Sequence, residues 1–265
     1  MTLAPDTVLL DVSPEGVAVV LINRAAKRNA FDELTIAGLQ DAFETLKGAD
    51  HVRVVFLRGA GEHFSAGADL EWMKRQGERT AADNEADAYG LARMLKSLHD
   101  LPILTVALVD GAAMGGGAGL VAASDYAIAT RRAQFRFSEV RLGLTPATIS
   151  PYVIEAIGAR NARALFASAL PFDAMEAMRY GLIHEVVEDE GELESAMRRL
   201  SHLSFENAPG AVADAKALVR AVAGHAIDDR IARDTAKRIA QRRASDEGRE
   251  GLAAFLERRK PNWSA

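Results

Sequence analysis

The chain has 265 residues, of which 49% are hydrophobic and 26% charged, and its formal net charge is -5. This composition is typical of a globular protein, and the negative charge disfavours nucleic acid as a partner, because phosphate-backbone binders need a positive field. With no cysteine in the sequence, disulfides, thiolate metal sites and cysteine nucleophiles are excluded. The N-terminal stretch lacks the basic and apolar regions of a secretory signal, so we expect a cytoplasmic location.

The first half of the chain alternates β-branched runs with helical stretches, which is the rhythm of layered α/β proteins. The predicted elements are, in chain order, a strand at 17–23, a helix over about 31–47, a strand at 53–59, a helix from about 69, an acidic and mobile connection over 78–88, a helix over 89–101 and a strand over 103–111. Pro102 stands where the third helix is predicted to end.

The second half begins with a glycine cluster and becomes mainly helical. A short helix at 120–125 and a buried strand at 126–130 follow the glycines, and IHEVV at 183–187 is the last predicted strand. From Asn207 onward the pattern predicts helices alone, the last with Ser245 as its N-cap and Pro261 as its stop. We therefore divide the chain into a core over 1–206 and a helical C-terminal region over 207–265, whose apolar residues suggest packing on a neighbour.

Two segments share one layout, a buried strand followed by a turn of small residues and a helix. They are RVVFLRGAGEHFSAGADLEW and ILTVALVDGAAMGGGAGLVAAS. The first turn of a helix has unpaired N–H groups, so two such turns that face each other could bind one oxygen that becomes negative. Glycines that only permit tight strand and helix packing explain the same spacing.

The apolar run over 103–123 has a further interpretation as a membrane helix. Gly111, Gly115 and Gly119 stand four residues apart, as in closely packed membrane helices. Against this, Asp110 would lie near the bilayer centre, and the β-branched ILTVALV is typical of a strand. We therefore favour a protein without a membrane partner.

Four separated motifs carry a resemblance to a known family. HFSAGADL at 63–70, DGAAMGGGAGL at 110–120, SEVRLGLTP at 138–146 and GREGLAAFLERRKPNW at 248–263 resemble, in that order, the enoyl-CoA hydratase/isomerase or crotonase superfamily. HFSAGADLEWM and TPATISPYV are most similar to its bacterial methylglutaconyl-CoA hydratase type. The resemblance implies an α/β fold with a crotonase-like ββα spiral core and a C-terminal helical trimerisation region.

The resemblance also implies a catalytic arrangement. The carbonyl of an acyl-CoA thioester would accept hydrogen bonds from the backbone N–H groups of Ala68 and Gly116, which stabilise an enolate. Glu139 would deliver a proton to the α-carbon, whereas without the resemblance it would be interpreted as part of a surface ion pair with Arg136 or Arg141. These two arginines could equally hold a distal carboxylate of the substrate.

Gly119 stands where hydratases of this family carry their other catalytic carboxylate. The primary hypothesis is an enoyl-CoA hydratase that uses Glu139 to orient water and protonate the α-carbon, or that takes its base from another group. An enoyl-CoA isomerase that uses Glu139 alone is the alternative, and a non-catalytic binder of CoA thioesters is a third reading.

CoA is part of the substrate, and we expect no separate cofactor and no metal. By resemblance, the residues assigned to CoA are Arg24, Lys27, Arg28, Ala66, Asp69, Leu70, Phe255 and Arg258. The first three would contact phosphates, and the last two would reach the adenine end from a neighbouring subunit of a homotrimer or hexamer. Asp69 is also predicted to cap the helix that it precedes.

Other residues near these motifs receive structural interpretations. His63 is predicted on the surface despite its place beside SAGAD. Trp72, Met73, Met175 and Met178 are predicted to line the core or a pocket.

Overall fold

A computed structural model describes residues 7–264, which form two β-sheets and the helices around them. The strands are β1 (Val8–Val12), β2 (Val17–Ile22), β3 (Val54–Gly59), β4 (Leu104–Val109), β5 (Ala112–Met114), β6 (Tyr126–Thr130), β7 (Gln134–Arg136), β8 (Phe172–Asp173) and β9 (Glu185–Val187). The helices are α1 (Glu33–Lys47), α2 (Leu70–Gly77), α3 (Ala81–His99), α4 (Gly116–Ala123), α5 (Ser150–Ser168), α6 (Ala174–Tyr180), α7 (Glu190–Glu206), α8 (Pro209–Val222), α9 (Asp229–Arg243) and α10 (Asp246–Glu257).

The larger sheet has six strands in the order β1-β2-β3-β4-β6-β9. The strands from β2 onward are parallel to their neighbours, and β1 pairs with β2 in the antiparallel direction. Parallel neighbours need a crossover connection, which α1 supplies between β2 and β3 and which α2 and α3 supply between β3 and β4. The smaller sheet has the order β5-β7-β8, and its strand β5 lies within the glycine-rich segment.

The main sheet is buried on both faces, and the strands divide their side chains between two apolar clusters. Val55 and Leu57 of β3 pack in the cluster that includes residues of α1, α3 and α4, whereas Val54 and Phe56 pack in the cluster that includes Leu193 of α7. This division follows from the two-residue period of a strand. It explains why β3 has an unbroken apolar sequence rather than an alternating one.

Local signals account for the first predicted helix. The Asp32 side chain accepts from the Thr35 N–H at 2.9 Å and caps α1, whose Leu39 and Phe43 are fully buried, and the helix ends at Gly48. The predicted helix over about 31–47 is therefore confirmed.

The predicted mobile connection over 78–88 is wrong. Helix α3 already begins at Ala81, because the Thr80 side chain caps it by accepting from the Asp83 N–H, and Asp83 itself is favourable in a first turn. The polar and acidic composition of this stretch reflects an exposed helix face rather than a loop.

The glycine cluster is also more regular than a single turn. Ala112–Met114 form β5, and α4 begins at Gly116, four residues before the helix predicted from the apolar pattern. The membrane interpretation of 103–123 fails, because its first part is β4 in the centre of the sheet. Across residues 7–264, no helix is sufficiently long and apolar to cross a membrane.

Helices α8 to α10 follow Asn207, as predicted. Ser245 caps α10 by accepting from the Gly248 N–H at 3.1 Å. In this part of the chain Phe255 and Leu256 are 80% and 72% exposed, so the apolar face of α10 is mostly uncovered in the single chain.

Candidate active site

The two turns of small residues lie side by side. The Ser65 N–H donates to the Ala112 carbonyl and the Met114 N–H donates to the Ser65 carbonyl, both at 2.9 Å. Ser65 and Ala113 thereby form a parallel β-bridge between the two segments. The two turns are thus fixed to each other by backbone hydrogen bonds.

Glycine is required at the closest approach of the turns. Gly67 has a φ of 86°, and a Cβ there would lie 2.8 Å from the Met114 carbonyl oxygen and 3.7 Å from the Gly115 Cα. Gly115 has a φ of 49° and a ψ of -118°, a backbone conformation that residues with a Cβ avoid. The residues that follow these two glycines, Ala68 and Gly116, are therefore neighbours in space.

The Ala68 N–H has no hydrogen-bond partner in the described chain. From Phe64 to Asp69 the other N–H groups donate to Asp110, Ala112, Arg28 and Phe31 carbonyls and to the Ser65 hydroxyl. Ala68 is half-buried, whereas Gly67 and Asp69 on either side are buried. The turn therefore presents a single free donor to the space outside it.

The Gly116 N–H is a second free donor. Gly116 is the first residue of α4, so its N–H has no partner within the helix, and no other described residue accepts from it. The preceding Gly115 N–H donates to the Arg136 carbonyl at 2.9 Å, which holds the N-terminus of α4 against β7. Two neighbouring free donors, of which the Gly116 N–H stands at the start of α4, suit an oxygen that gains negative charge.

Glu139 lies beside this pair of donors. Its Oε1 is 3.2 Å from the position that a Cβ on Gly115 would take, and its Oε2 is buried without a hydrogen-bond partner. Burial raises the pKa of the Glu139 carboxyl. A carboxyl in this position can take up and release a proton near the atom that the donors polarise.

The interpretation of Glu139 as part of a surface ion pair is wrong. The Arg136 Nε donates to the Ala169 carbonyl at 2.7 Å, Arg141 is exposed, and neither forms an ion pair with Glu139. No charged neighbour contributes to the raised pKa of Glu139. Its carboxyl is therefore unpaired in the structure of residues 7–264.

The space next to Gly119 is filled by an apolar side chain. A Cβ on Gly119 would lie 2.9 Å from the Cβ of Ile149, and the Ile149 Cγ2 is closer still. Ile149 is 1% exposed and directly precedes α5. An unstrained carboxylate side chain at position 119 is thus incompatible with this packing.

Arg24 binds two carboxylates inside the protein. Its Nη2 lies 2.9 Å from Asp32 Oδ2 and 3.0 Å from Asp69 Oδ2, and its Nη1 donates to the Ala30 carbonyl. Asp69 also caps α2, as predicted, by accepting from the Glu71 and Trp72 N–H groups. Burial opposes ionisation of Asp69, but these hydrogen bonds and Arg24 lower its pKa. Both charged groups therefore order the turn that carries Ala68.

The other residues assigned to CoA differ in their accessibility. Lys27 and Arg28 are exposed, with the Lys27 Nζ 3.4 Å from Glu71 Oε1. The Ala66 N–H is occupied by the Arg28 carbonyl, and Leu70 is 76% exposed. Phe255 and Arg258 are exposed on and after α10, where Arg258 ends the helix with a φ of 57°.

The predicted surface position of His63 is wrong, and two of the predicted core positions are not in the core. His63 is half-buried rather than on the surface, because its Nδ1 accepts from the Ala112 N–H at 3.2 Å. Met175 and Met178 are 41% and 39% exposed on α6, so they do not belong to the core, and the alternative that they line a pocket stays a prediction. Trp72 does pack partly against the core, as predicted.

Sequence reasoning also missed Ser65, Asn29 and Ile149. Ser65 stands inside the SAGAD motif, which could have drawn attention to it. The other two carry no local signal, because they act through residues distant in sequence.

Two unpartnered backbone donors, the Ala68 and Gly116 N–H groups, thus lie beside the Glu139 carboxyl, whose Oε2 is buried. Residues 13–265 match the family described as Enoyl-CoA hydratase/isomerase. An enoyl-CoA hydratase structure from Shewanella pealeana is 40% identical, with a TM-score of 0.94 over 97% of this chain and 96% of that one. Pseudomonas aeruginosa AtuE is 36% identical, with a TM-score of 0.93 over 98% of this chain and 100% of that one.

A third similar protein is the mevalonyl-coenzyme A hydratase sidH of Aspergillus fumigatus. It is 30% identical over 93% of this chain and 91% of its own length. The chain therefore belongs to the enoyl-CoA hydratase/isomerase family and is an enzyme of the crotonase superfamily with the mixed α/β fold predicted from its motifs.

Proposed function

We propose that this chain adds water across the C2–C3 double bond of a 2-enoyl-CoA. The observation that carries this proposal is the pair of unpartnered donors, Ala68 N–H and Gly116 N–H, beside the half-buried Glu139, whose Oε2 is buried. An enolate oxygen needs such donors, and the α-carbon next to it needs a proton donor. In this proposal the Ala68 and Gly116 N–H groups supply the first requirement and the Glu139 carboxyl supplies the second.

In the proposed reaction the thioester oxygen accepts from both N–H groups, which draw electron density from the double bond. Water adds to C3 and loses a proton, while C2 gains a proton as the enolate collapses back to the thioester. Glu139 takes the proton from water and returns one to C2, so a single carboxyl serves both steps. Preorganised donors of this kind contribute about 10²–10³ in rate each.

For CoA itself, we propose that Lys27 and Arg28 meet the phosphates, since both are exposed and lie next to the turn of Ala68. Arg24 supports the same loop from inside, through Asp32 and Asp69. Phe255 and Arg258 are proposed to reach CoA in a neighbouring subunit of a homotrimer or hexamer. The 80% exposure of Phe255 supports this role.

Isomerisation of a 3-enoyl-CoA to a 2-enoyl-CoA is the second candidate function. One specific observation favours it: Ile149 fills the space beside Gly119, so position 119 supplies no second carboxylate to the site. Moving a proton from C2 to C4 needs one base and no water.

A panel of thioesters separates these functions. With a 2-enoyl-CoA, hydration removes the conjugated absorbance and adds the mass of one water; with a 3-enoyl-CoA, isomerisation creates that absorbance at constant mass. Glu139→Gln should lower the rate of either reaction by about 10²–10⁴ while the protein still binds CoA thioesters. Binding by calorimetry without turnover of any thioester in the wild type would refute both reactions and support the non-catalytic binder.

A further inference from the structure

Ser65 occupies the seam between the two turns that supply the donors. It is 0% exposed, and its backbone bonds to both Ala112 and Met114 of the opposite turn. Its side chain lies against α4, because a Cβ on Gly117 would be 2.8 Å from the Ser65 Cβ and 3.1 Å from its Oγ. Ser65 thus contacts the helix whose first N–H is that of Gly116.

The hydroxyl of Ser65 makes two buried hydrogen bonds. Its O–H donates to the Asn29 carbonyl at 2.8 Å, and its Oγ accepts from the Gly67 N–H at 3.2 Å. Asn29 is also 0% exposed and is fixed in turn, since its Nδ2 donates to the His63 and Ala60 carbonyls. The hydroxyl is therefore anchored on a rigid, buried partner.

Gly67 is held on both of its sides. Its N–H is taken by Ser65 Oγ, and its carbonyl accepts from the Phe31 N–H at 2.7 Å. That carbonyl belongs to the same peptide plane as the Ala68 N–H, so these two bonds fix the direction in which the free donor points. A glycine with a φ of 86° has no side chain to restrain it, and its backbone depends on such bonds.

We propose that Ser65 is a positioning residue that sets the Ala68 donor and aligns it with the Gly116 donor. This inference rests on the proposed function, because it assigns Ser65 to the same pair of donors. Removing the hydroxyl leaves the buried Gly67 N–H without an acceptor, so only the Phe31 N–H then holds Gly67, through its carbonyl, and the Gly67–Ala68 peptide can tilt. The Ala68 N–H then no longer points with the Gly116 N–H at one oxygen.

Ser65→Ala is the direct test. Complete loss of one such donor costs about 10²–10³ in rate, so a donor that is present but misdirected should lower kcat by about tenfold. KM should change much less, because the Ser65 hydroxyl bonds only to Asn29 and Gly67 and not to the Lys27 and Arg28 side chains proposed to meet the CoA phosphates. Ser204→Ala is the matched control, since Ser204 is 4% exposed and its hydroxyl donates only to the Ser201 carbonyl within α7.

A spectroscopic measurement separates positioning from general stability. Saturated butyryl-CoA, isotope-labelled at the thioester carbonyl, is bound to each variant, and the carbonyl stretch is read by infrared difference spectroscopy. The wild type and Ser204→Ala should lower the stretching frequency on binding, and Ser65→Ala should return it towards the value of the free thioester. If Ser65→Ala does not fold, Ser65→Cys takes its place in the same measurement.

Different results would refute the proposed function and the proposed role of Ser65. No shift in the wild type would refute the pair of donors and with it the proposed function. A full shift in both the wild type and folded Ser65→Ala, or an unchanged kcat, would refute the role of Ser65 alone.

Discussion

The close contact between Gly119 and Ile149 predicts that a side chain at position 119 destabilises the protein. A Cβ on Gly119 would lie 2.9 Å from the Ile149 Cβ, closer than such atoms approach in folded proteins, and closer still to its Cγ2. Gly119→Ala should therefore destabilise the protein by about 1–3 kcal/mol through overpacking. At an unhindered helical glycine the same change stabilises by about 0.5–1 kcal/mol, so the expected sign is reversed.

Gly90 supplies the matched control. It lies inside α3, and a Cβ there would meet no atom within 4 Å, so Gly90→Ala should stabilise the protein by about 0.5–1 kcal/mol. Urea unfolding gives the free energy of unfolding for both variants under the same conditions.

A double-mutant cycle tests whether Ile149 is the cause. Ile149→Ala alone should cost about 2–5 kcal/mol, because it leaves a cavity in the core. Combined with Gly119→Ala, the loss should be smaller than the sum by about 0.5–3 kcal/mol, because the smaller side chain makes room for the new methyl group. Additive losses, or a Gly119→Ala protein as stable as Gly90→Ala, would refute the claim that Ile149 fills this space.

Three further predictions follow from other contacts. Glu139→Gln should reduce turnover by about 10²–10⁴. It should also raise the midpoint of thermal unfolding at neutral pH, because the pKa of Glu139 is raised in the folded protein and its ionisation therefore costs stability as pH rises. The gain in the unfolding midpoint should vanish below the ordinary pKa of a glutamate. In the wild type, kcat/KM should fall with decreasing pH as Glu139 is protonated. An unfolding midpoint that Glu139→Gln leaves unchanged at every pH would count against the burial of Glu139. Arg24→Ala should lower the free energy of unfolding by about 3 kcal/mol, since it leaves the Asp32 and Asp69 carboxylates unpaired. The share of this loss that comes from Asp69 is present at neutral pH and disappears as pH falls through the lowered pKa of Asp69. Equal losses of unfolding free energy well above and well below that pKa would contradict the pairing. Thr80→Ala should cost about 1 kcal/mol in the same unfolding assay, and no change would indicate that the cap of α3 contributes little.

The sequence by itself determined the elements whose signals are local. The apolar runs of β3 and β4, the caps Asp32, Asp69 and Ser245, and the two turns of small residues are set by neighbouring residues. The motifs were sufficient to indicate the family and to select Ala68, Gly116 and Glu139 as candidates. Most of the acidic stretch before Tyr89 is helical, although its composition predicts a loop, because polarity indicates exposure and an exposed helix is as polar as a loop.

Only the tertiary structure decided which of these groups are free to act. The Ala68 N–H is unpartnered because residues as distant as Phe31 and Asp110 take the donors around it. Glu139 is unpaired because Arg136 bonds to Ala169, and the space beside Gly119 is closed by Ile149, thirty residues further along the chain. Hydrogen-bond partners and the filling of space depend on residues that the fold brings together, so a local sequence pattern does not predict them.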